Sequence, residues 1–250
     1  MQMQQRHYSK APITEAIIDI RVKLPESLSI DKLNDIYPYV SDKFPTLEPY
    51  YKDVGLITYQ PGTTFKVDTS HQQIGFWFRS EDNLQTFQAT LEGFTFNRLA
   101  PYESWEKFSS DAKILWEIYK EICEPIHVMR VAIRYINQIN IPTHELTDLK
   151  DYLSIAPDVS SKLAQNALET FFMQLQIPQQ DLNCKVVINE ALAPPTNPEF
   201  VTIILDLDLF RQQIWESNDE EIWGFLEKLR HRKNEVFEAS ITDKTRELID

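Results

Sequence analysis

The sequence predicts an α+β protein: a duplicated βαβββα-type unit forming a mainly antiparallel sheet, with long helices packed on one face. Three observations carry this. Several stretches alternate apolar and polar residues with the period of a strand. Two long stretches instead repeat their apolar residues with the period of a helix. The order of these stretches also starts over at mid-chain, so that Pro25 answers Pro142 and the helix cap Ser104 answers the helix cap Asn218. The expected halves are 1–125 and 126–250, joined as one integrated unit.

In the first half, Ala16–Leu24 reads as a strand, because Ile18, Ile20 and Val22 alternate with Asp19, Arg21 and Lys23. Pro25 ends it. Ser29 is the expected N-cap of a helix through Leu33, Ile36, Tyr37 and Val40. Strands follow at Val54–Gln60, Thr64–Asp68 and Gln73–Arg79, with a turn expected at Thr69–His71. Thr86–Leu99 reads as one strand whose phase slips between Leu91 and Phe94, which predicts a bulge at Gly93. Ser104 then caps a long helix whose inward stripe is Trp105, Phe108, Ala112, Leu115, Trp116, Tyr119 and Ile122.

In the second half, Val128–Ile141 is a strand ended by Pro142. Thr143 leads into an expected helix through Leu146, Leu149, Tyr152 and Leu153, and a helical turn is expected at Lys162–Ala167. Leu168–Ile177, Asn183–Ala191 and Phe200–Phe210 read as strands. Asn218, with Glu221 three residues on as capping-box partner, opens the last long helix, Asp219–Ala239. Thr242 is placed to cap a short final helix.

Composition narrows the function. With 25 Lys and Arg against 38 Asp and Glu, the 250-residue chain carries −13, which disfavours non-specific binding of nucleic acid or an anionic membrane. Only five glycines occur, too widely spaced for a phosphate-binding loop, a dinucleotide fingerprint or a nucleophile elbow. The scattered histidines and the lone Cys123 and Cys184 form no local zinc signature, so neither a metal nor a cofactor is expected. The polar start and the lack of a long apolar run point to a cytoplasmic chain with reduced thiols and no membrane span.

Three clusters could still carry binding chemistry. Asp206 and Asp208 share one side of a strand, which suits either a divalent cation or a hydrated sheet face. Arg130 and Arg134 share one side of theirs, to fork onto an anion or onto those aspartates. Lys228, Arg230, Arg232 and Lys233 form a basic group in an acidic chain, with Arg230, Lys233 and Asn234 on one helix face. Lys233 borders the buried stripe, so a carboxylate partner is expected, and Glu15 is the first choice. Trp77, between Phe76 and Phe78, is expected to leave the core by alternation, and a second subunit would cover it.

Four strings are similar to those of a sporadically distributed bacterial family of about 250 residues with no established activity. They are Tyr8-Ser-Lys-Ala-Pro-Ile-Thr-Glu-Ala-Ile17, Leu99-Ala-Pro-Tyr-Glu-Ser-Trp105, Arg134-Tyr-Ile-Asn137 with Arg130 before it, and Arg230 to Asp243 around Lys233-Asn234. The resemblance implies bacterial origin and one integrated unit. It draws attention to Glu15, Arg134, Asn137, Lys233, Asn234, Ser240 and Thr242, which are polar within those strings.

Two functions follow. The first is a non-enzymatic binding or assembly protein with a protein partner, expected as a homodimer. The second is an enzyme or sensor acting on a phosphorylated or nucleotide ligand through Arg130, Arg134 and Lys233. The candidate binding residues are Glu15, Arg130, Arg134, Asn137, Arg230, Lys233 and Asn234. No catalytic residue is assigned.

Overall fold

The computed structural model describes residues 6–58, 66–165, 168–194, 197–215 and 219–250, with the backbone alone for 53–58 and 66–70. Among these residues the strands are β1 (Ile13–Lys23), β2 (Thr46–Thr58), β3 (Lys66–Arg79), β4 (Gln85–Thr90), β5 (Gly93–Leu99), β6 (His127–Pro142), β7 (Phe172–Gln179), β8 (Cys184–Leu192) and β9 (Phe200–Trp215). The four α-helices are α1 (Tyr37–Val40), α2 (Trp105–Cys123), α3 (Asp219–Ser240) and α4 (Asp243–Ile249). All nine strands join one sheet in the order β2-β3-β4-β5-β1-β6-β9-β8-β7. Every pairing is antiparallel. No helix is long and apolar enough to cross a membrane among the described residues.

Alternation sorts the side chains of the central strands onto two faces. Ile18 and Ile20 of β1, Phe94 and Phe96 of β5, Ile133 and Tyr135 of β6, and Leu205 and Leu207 of β9 are buried in the core. Helix α2 lies against this layer, its Trp116 ring 5.7 Å from Phe94 and its Phe108 ring 5.3 Å from Phe96. Phe225 of α3 meets Trp215 of β9 at 5.2 Å. Each such fully buried aromatic contributes about 1.5–3 kcal/mol relative to an exposed one.

Ser104 caps α2 as expected, its hydroxyl accepting from the Lys107 N–H, and Glu124 ends the helix in the left-handed region. The Asn218 cap lies outside the described residues, as do Tyr59, Gln60, Thr64, Asn166 and Ala167 of other expected elements.

Four expectations are corrected. First, Thr69–His71 is no turn. These residues pair with Gly55–Asp53 inside one long strand, because the ladder with β2 overrides local turn preference. Second, the slip at Gly93 is a change of strand, not a bulge. Thr90 pairs with Gly93 across a two-residue loop, and the Thr90 hydroxyl accepts from the N–H groups of Glu92 and Gly93. Gly93 sits at φ 155°, and a Cβ there would meet the Ile20 carbonyl oxygen at 2.3 Å. Third, the segment after Ser29 is 3-10 over Ile30–Ile36 before the single turn of α1. Pro38 has no N–H to give the Asn34 carbonyl, so the Tyr37 N–H takes it instead. Fourth, no helix runs from Thr143 to Leu153. Asp148 is extended and accepts from the Lys150 N–H, which leaves only a 3-10 turn at Leu149–Asp151.

Trp77 does leave the core, but this chain already contacts it. Tyr50 packs edge-on at 4.9 Å and the Arg79 guanidinium lies 4.9 Å over its ring. The outermost strands β2 and β7 carry Pro49 and Pro178. Proline on an edge blunts pairing with a further strand, so the edges do not supply the invitation to dimerise that an open sheet implies.

Among the described residues, one buried carboxyl of the core has no hydrogen-bond partner. Glu190 of β8, opposite Leu205, is fully buried, and neither carboxylate oxygen has a hydrogen-bond partner. Burial pushes its carboxyl up to about 7. The folded state therefore holds this proton at pH values where the unfolded chain has lost it. The resulting destabilisation is absent below the unfolded value of 4.5, grows with rising pH, and is complete above about 7. Glu190→Met is expected to stabilise the protein by about 3 kcal/mol near pH 8 and far less near pH 4. Denaturant titrations at the two pH values check this, and an equal gain at both would contradict it.

Candidate functional site

A cavity of about 770 Å³ opens between the segment before β1, the 102–106 segment and helix α3, with β6 as its floor. Each of the four sequence strings contributes to its wall. Tyr8, Ala11, Pro12 and Ile13 come from the first, Tyr102 to Trp105 from the second, and Tyr135 and Asn137 from the third. Arg230, Lys233, Asn234 and Glu238 come from the fourth, on α3. Stretches that span most of the chain thus meet at one place.

Local physics fixes each wall. Tyr135 and Asn137 lie two apart on β6 and face the same way. Asn137 is buried, its amide donating to the Leu205 carbonyl at 3.0 Å. The Tyr135 and Tyr102 hydroxyls share a hydrogen bond of 3.0 Å. Burial pushes the Tyr102 phenol up to about 12 and that of Tyr135 well above its ordinary value. Arg230 and Lys233 are one turn apart on α3. Arg230 approaches Glu227 at 3.3 Å and Glu106 at 4.0 Å, and the Trp105 indole donates to Glu227. Tyr8 donates to Glu238 at 2.6 Å, and Arg246 holds the other oxygen of that carboxylate at 2.9 Å.

Lys233 differs from its neighbours. Its Nζ lies 4.1 Å over the Tyr135 ring, a cation–π placement, and it meets no carboxylate among the described residues. Burial, and then the charge of Arg230, bring its ammonium down to about 7. The expected ion pair with Glu15 does not form. Glu15 belongs to the opposite face of the sheet, where it accepts from Asn97 at 2.5 Å.

Arg130 and Arg134 are on that opposite face as well, since they alternate with Tyr135 along β6. Arg134 forks onto Asp206 at 2.8 and 2.7 Å, and Asn189 adds a bond to the same carboxylate at 2.9 Å. Asp206 raises the Arg134 guanidinium above its ordinary value. Arg130 bridges Asp19 at 2.6 Å and Asp208 at 3.2 Å, over the Phe210 ring. Burial raises the Asp208 carboxyl against the pull of Arg130 and Arg134. Asp206 and Asp208 are thus taken up by arginines of the same chain.

Of the seven candidate residues, Asn137, Arg230, Lys233 and Asn234 come together at the cavity, while Glu15, Arg130 and Arg134 do not. One ligand cannot engage Arg130, Arg134 and Lys233 together, because the sheet lies between them. Ser240 and Thr242 serve the fold: Ser240 donates to the Val236 carbonyl and Thr242 to the Asp151 carbonyl. Among the cavity residues not selected from sequence are Tyr8, Tyr102, Trp105, Tyr135 and Glu238. All five stand inside the four strings, which was their one available signal.

No protein-family model, no curated protein and no solved structure matches the chain.

Because folding lowers the Lys233 ammonium from 10.5 to about 7, the native state binds fewer protons than the unfolded chain between those values. The burden of the buried cation is therefore complete below about 7 and gone above 10.5. Lys233→Met is expected to melt higher than the wild type at about pH 6, with the gap closing as pH approaches 10. Calorimetric scans across that range check it, and a gap that widened with pH would contradict the assignment.

Proposed function

We propose that this chain is a non-enzymatic cytoplasmic binding protein whose cavity takes an anionic group, a carboxylate or phosphate borne by a small molecule or a protein partner. The observation that carries the reading is the convergence of four distant strings on a cavity where Lys233 has no counter-charge. Arg230, Lys233 and Asn234 suit an anion because each supplies N–H donors. Membership of the sporadically distributed bacterial family belongs to the same proposal, since the strings that carry the resemblance are those that line the cavity.

Duplication belongs to it too. The order β3-β4-β5-β1 on one side of the sheet's centre corresponds to β7-β8-β9-β6 on the other, with β2 as an addition. Each series ends in a long helix, α2 or α3. Counting from Ser104 and from Asn218, the cap expected from sequence, Lys233 falls at the place of Tyr119 and Arg230 at that of Trp116. Tyr119 and Trp116 are buried aromatics. On this reading the second copy exchanged core rings for cations, and a cavity opened where they had been.

Inorganic phosphate and succinate, titrated separately against thermal unfolding, test the anion reading. A ligand at 100 times its Kd adds about 2.7 kcal/mol, roughly 5–10 °C for a chain of this size. At least one anion is expected to raise the midpoint, with the shift lost in Arg230→Ala/Asn234→Ala. No shift with either anion counts against the reading.

Self-association is a separable part of the proposal, with exposed apolar side chains such as Phe172 and Ile214 as the surface at stake. Light scattering at tens of micromolar is expected to give twice the 29.4 kDa chain mass. The mass of a single chain would remove the dimer and leave the cavity reading standing.

A further inference from the structure

The cavity contains an amine as well as donors for an anion, and the amine is held in an unusual way. Lys32, Lys43, Lys120 and Lys150 each meet a carboxylate. Lys233 instead sits half-buried in the cavity wall, with an aromatic ring beneath its Nζ at 4.1 Å and a second cation, Arg230, one turn away. A lysine desolvated beside another cation is the arrangement that leaves the nitrogen lone pair free to attack carbon.

From this geometry we propose that Lys233 captures a ligand bearing both a carbonyl and an anionic group, as a reversible imine within the cavity. The inference rests on the reading of the cavity as an anion site. Arg230 and Asn234 would take the anionic end of the ligand while the carbonyl carbon reaches Nζ.

The chemistry balances without any oxidant or reductant. The Nζ lone pair adds to the carbonyl carbon, the carbonyl π pair moves to oxygen, and a proton passes from the nitrogen to that oxygen. The carbinolamine then loses that hydroxyl with a further proton as water, and the nitrogen lone pair closes the C=N bond. Overall, a neutral amine, a carbonyl compound and one proton give a protonated imine and one water. The proton comes from solvent, and the hydrogen-bonded hydroxyls of Tyr102 and Tyr135, two residues of the cavity wall, can pass it. The positive charge of the imine arises over the Tyr135 ring face and beside the ligand's own anion, both of which favour it.

The population of free amine supports the step. An ammonium brought down to about 7 leaves a substantial neutral fraction near neutrality, whereas an ordinary lysine has very little. The volume also fits, since about 770 Å³ lies within the range of small-molecule sites.

Pyridoxal 5′-phosphate is a suitable probe because it joins an aldehyde to a phosphate. The wild-type protein is treated with an equimolar amount near pH 7.5, reduced with borohydride, digested and mapped by mass spectrometry. Lys233 is expected to carry the label at least about tenfold faster than any other lysine. Inorganic phosphate is expected to slow it, and pyridoxal lacking the phosphate to react more slowly. The Lys233→Arg variant keeps the charge but cannot form an imine, and should lose the fast label.

Label spread over exposed lysines with Lys233 spared overturns the proposal. If phosphate still raises the thermal midpoint in that case, only the imine fails and the anion reading stands. If phosphate gives no protection and neither phosphate nor succinate gives a shift, both fail.

Discussion

The pairing of β1 with β6 is the constraint on which the rest of the structure depends. It joins β2 to β5 on one side with β7 to β9 on the other, and it fixes which side chains share a face. In its register Ile18 meets Ile133 and Ile20 meets Val131, all of them buried. Slipping β6 by one residue would bring Arg130 and Arg134 to the helices and turn Tyr135 and Asn137 away from the cavity. The buried isoleucines resist that slip, so the site's floor is set by hydrophobic pairing some distance from it.

The same alternation produces two electrostatic environments back to back. On one face Arg21 and Arg130 stand directly opposite each other, an arrangement that repulsion alone would disfavour. Asp19 lies between them, accepting from both, and Thr95 adds a further bond to it. Arg134, Asp206 and Asn189 extend the network across β6, β9 and β8. Such buried pairs offset their desolvation instead of adding much stability, but removing one partner strands the other. They hold the strands in register and leave little capacity for an external ion. On the cavity face Arg230 meets Glu227 and Glu106, while Lys233 lies over the Tyr135 ring.

Legibility followed the range of the interaction. Helix α2 and its cap could be read because the period and the Ser104 hydroxyl are local properties, and β1, β6 and β9 because their alternation runs long. The reading failed where a distant partner decided. The ladder from β2 straightened Thr69–His71, and the hairpin turned an apparent bulge at Gly93 into a strand end. In the site, Arg230, Lys233 and Asn234 were visible as a basic group in an acidic chain. Placing Arg134 and Asn137 in one site ran against strand alternation, since an odd separation puts them on opposite faces. Tyr8, Tyr102 and Tyr135 were missed because an aromatic at core spacing looks the same in sequence whether it faces packing or a cavity.

The sequence could not show why Lys233 stays without a carboxylate in a chain of 38 acidic residues. A lysine stem is long and flexible, and a stranded ammonium ordinarily swings to the nearest acid or to water. Here the acids around the cavity are already engaged. Glu238 is held by Tyr8 and Arg246, Glu227 by the Trp105 indole and Arg230, and Glu106 faces Arg230. The wall that carries Tyr8 is itself tied down, because the Lys10 N–H donates to the Ile249 carbonyl and the Gln138 N–H to that of Pro12. The far end of α3 is fixed in turn by Thr242 on Asp151 and by the bridge between Ile241 and Leu153. A lysine whose helix cannot shift and whose neighbouring acids are occupied keeps its cation against Tyr135, facing whatever anion enters the cavity.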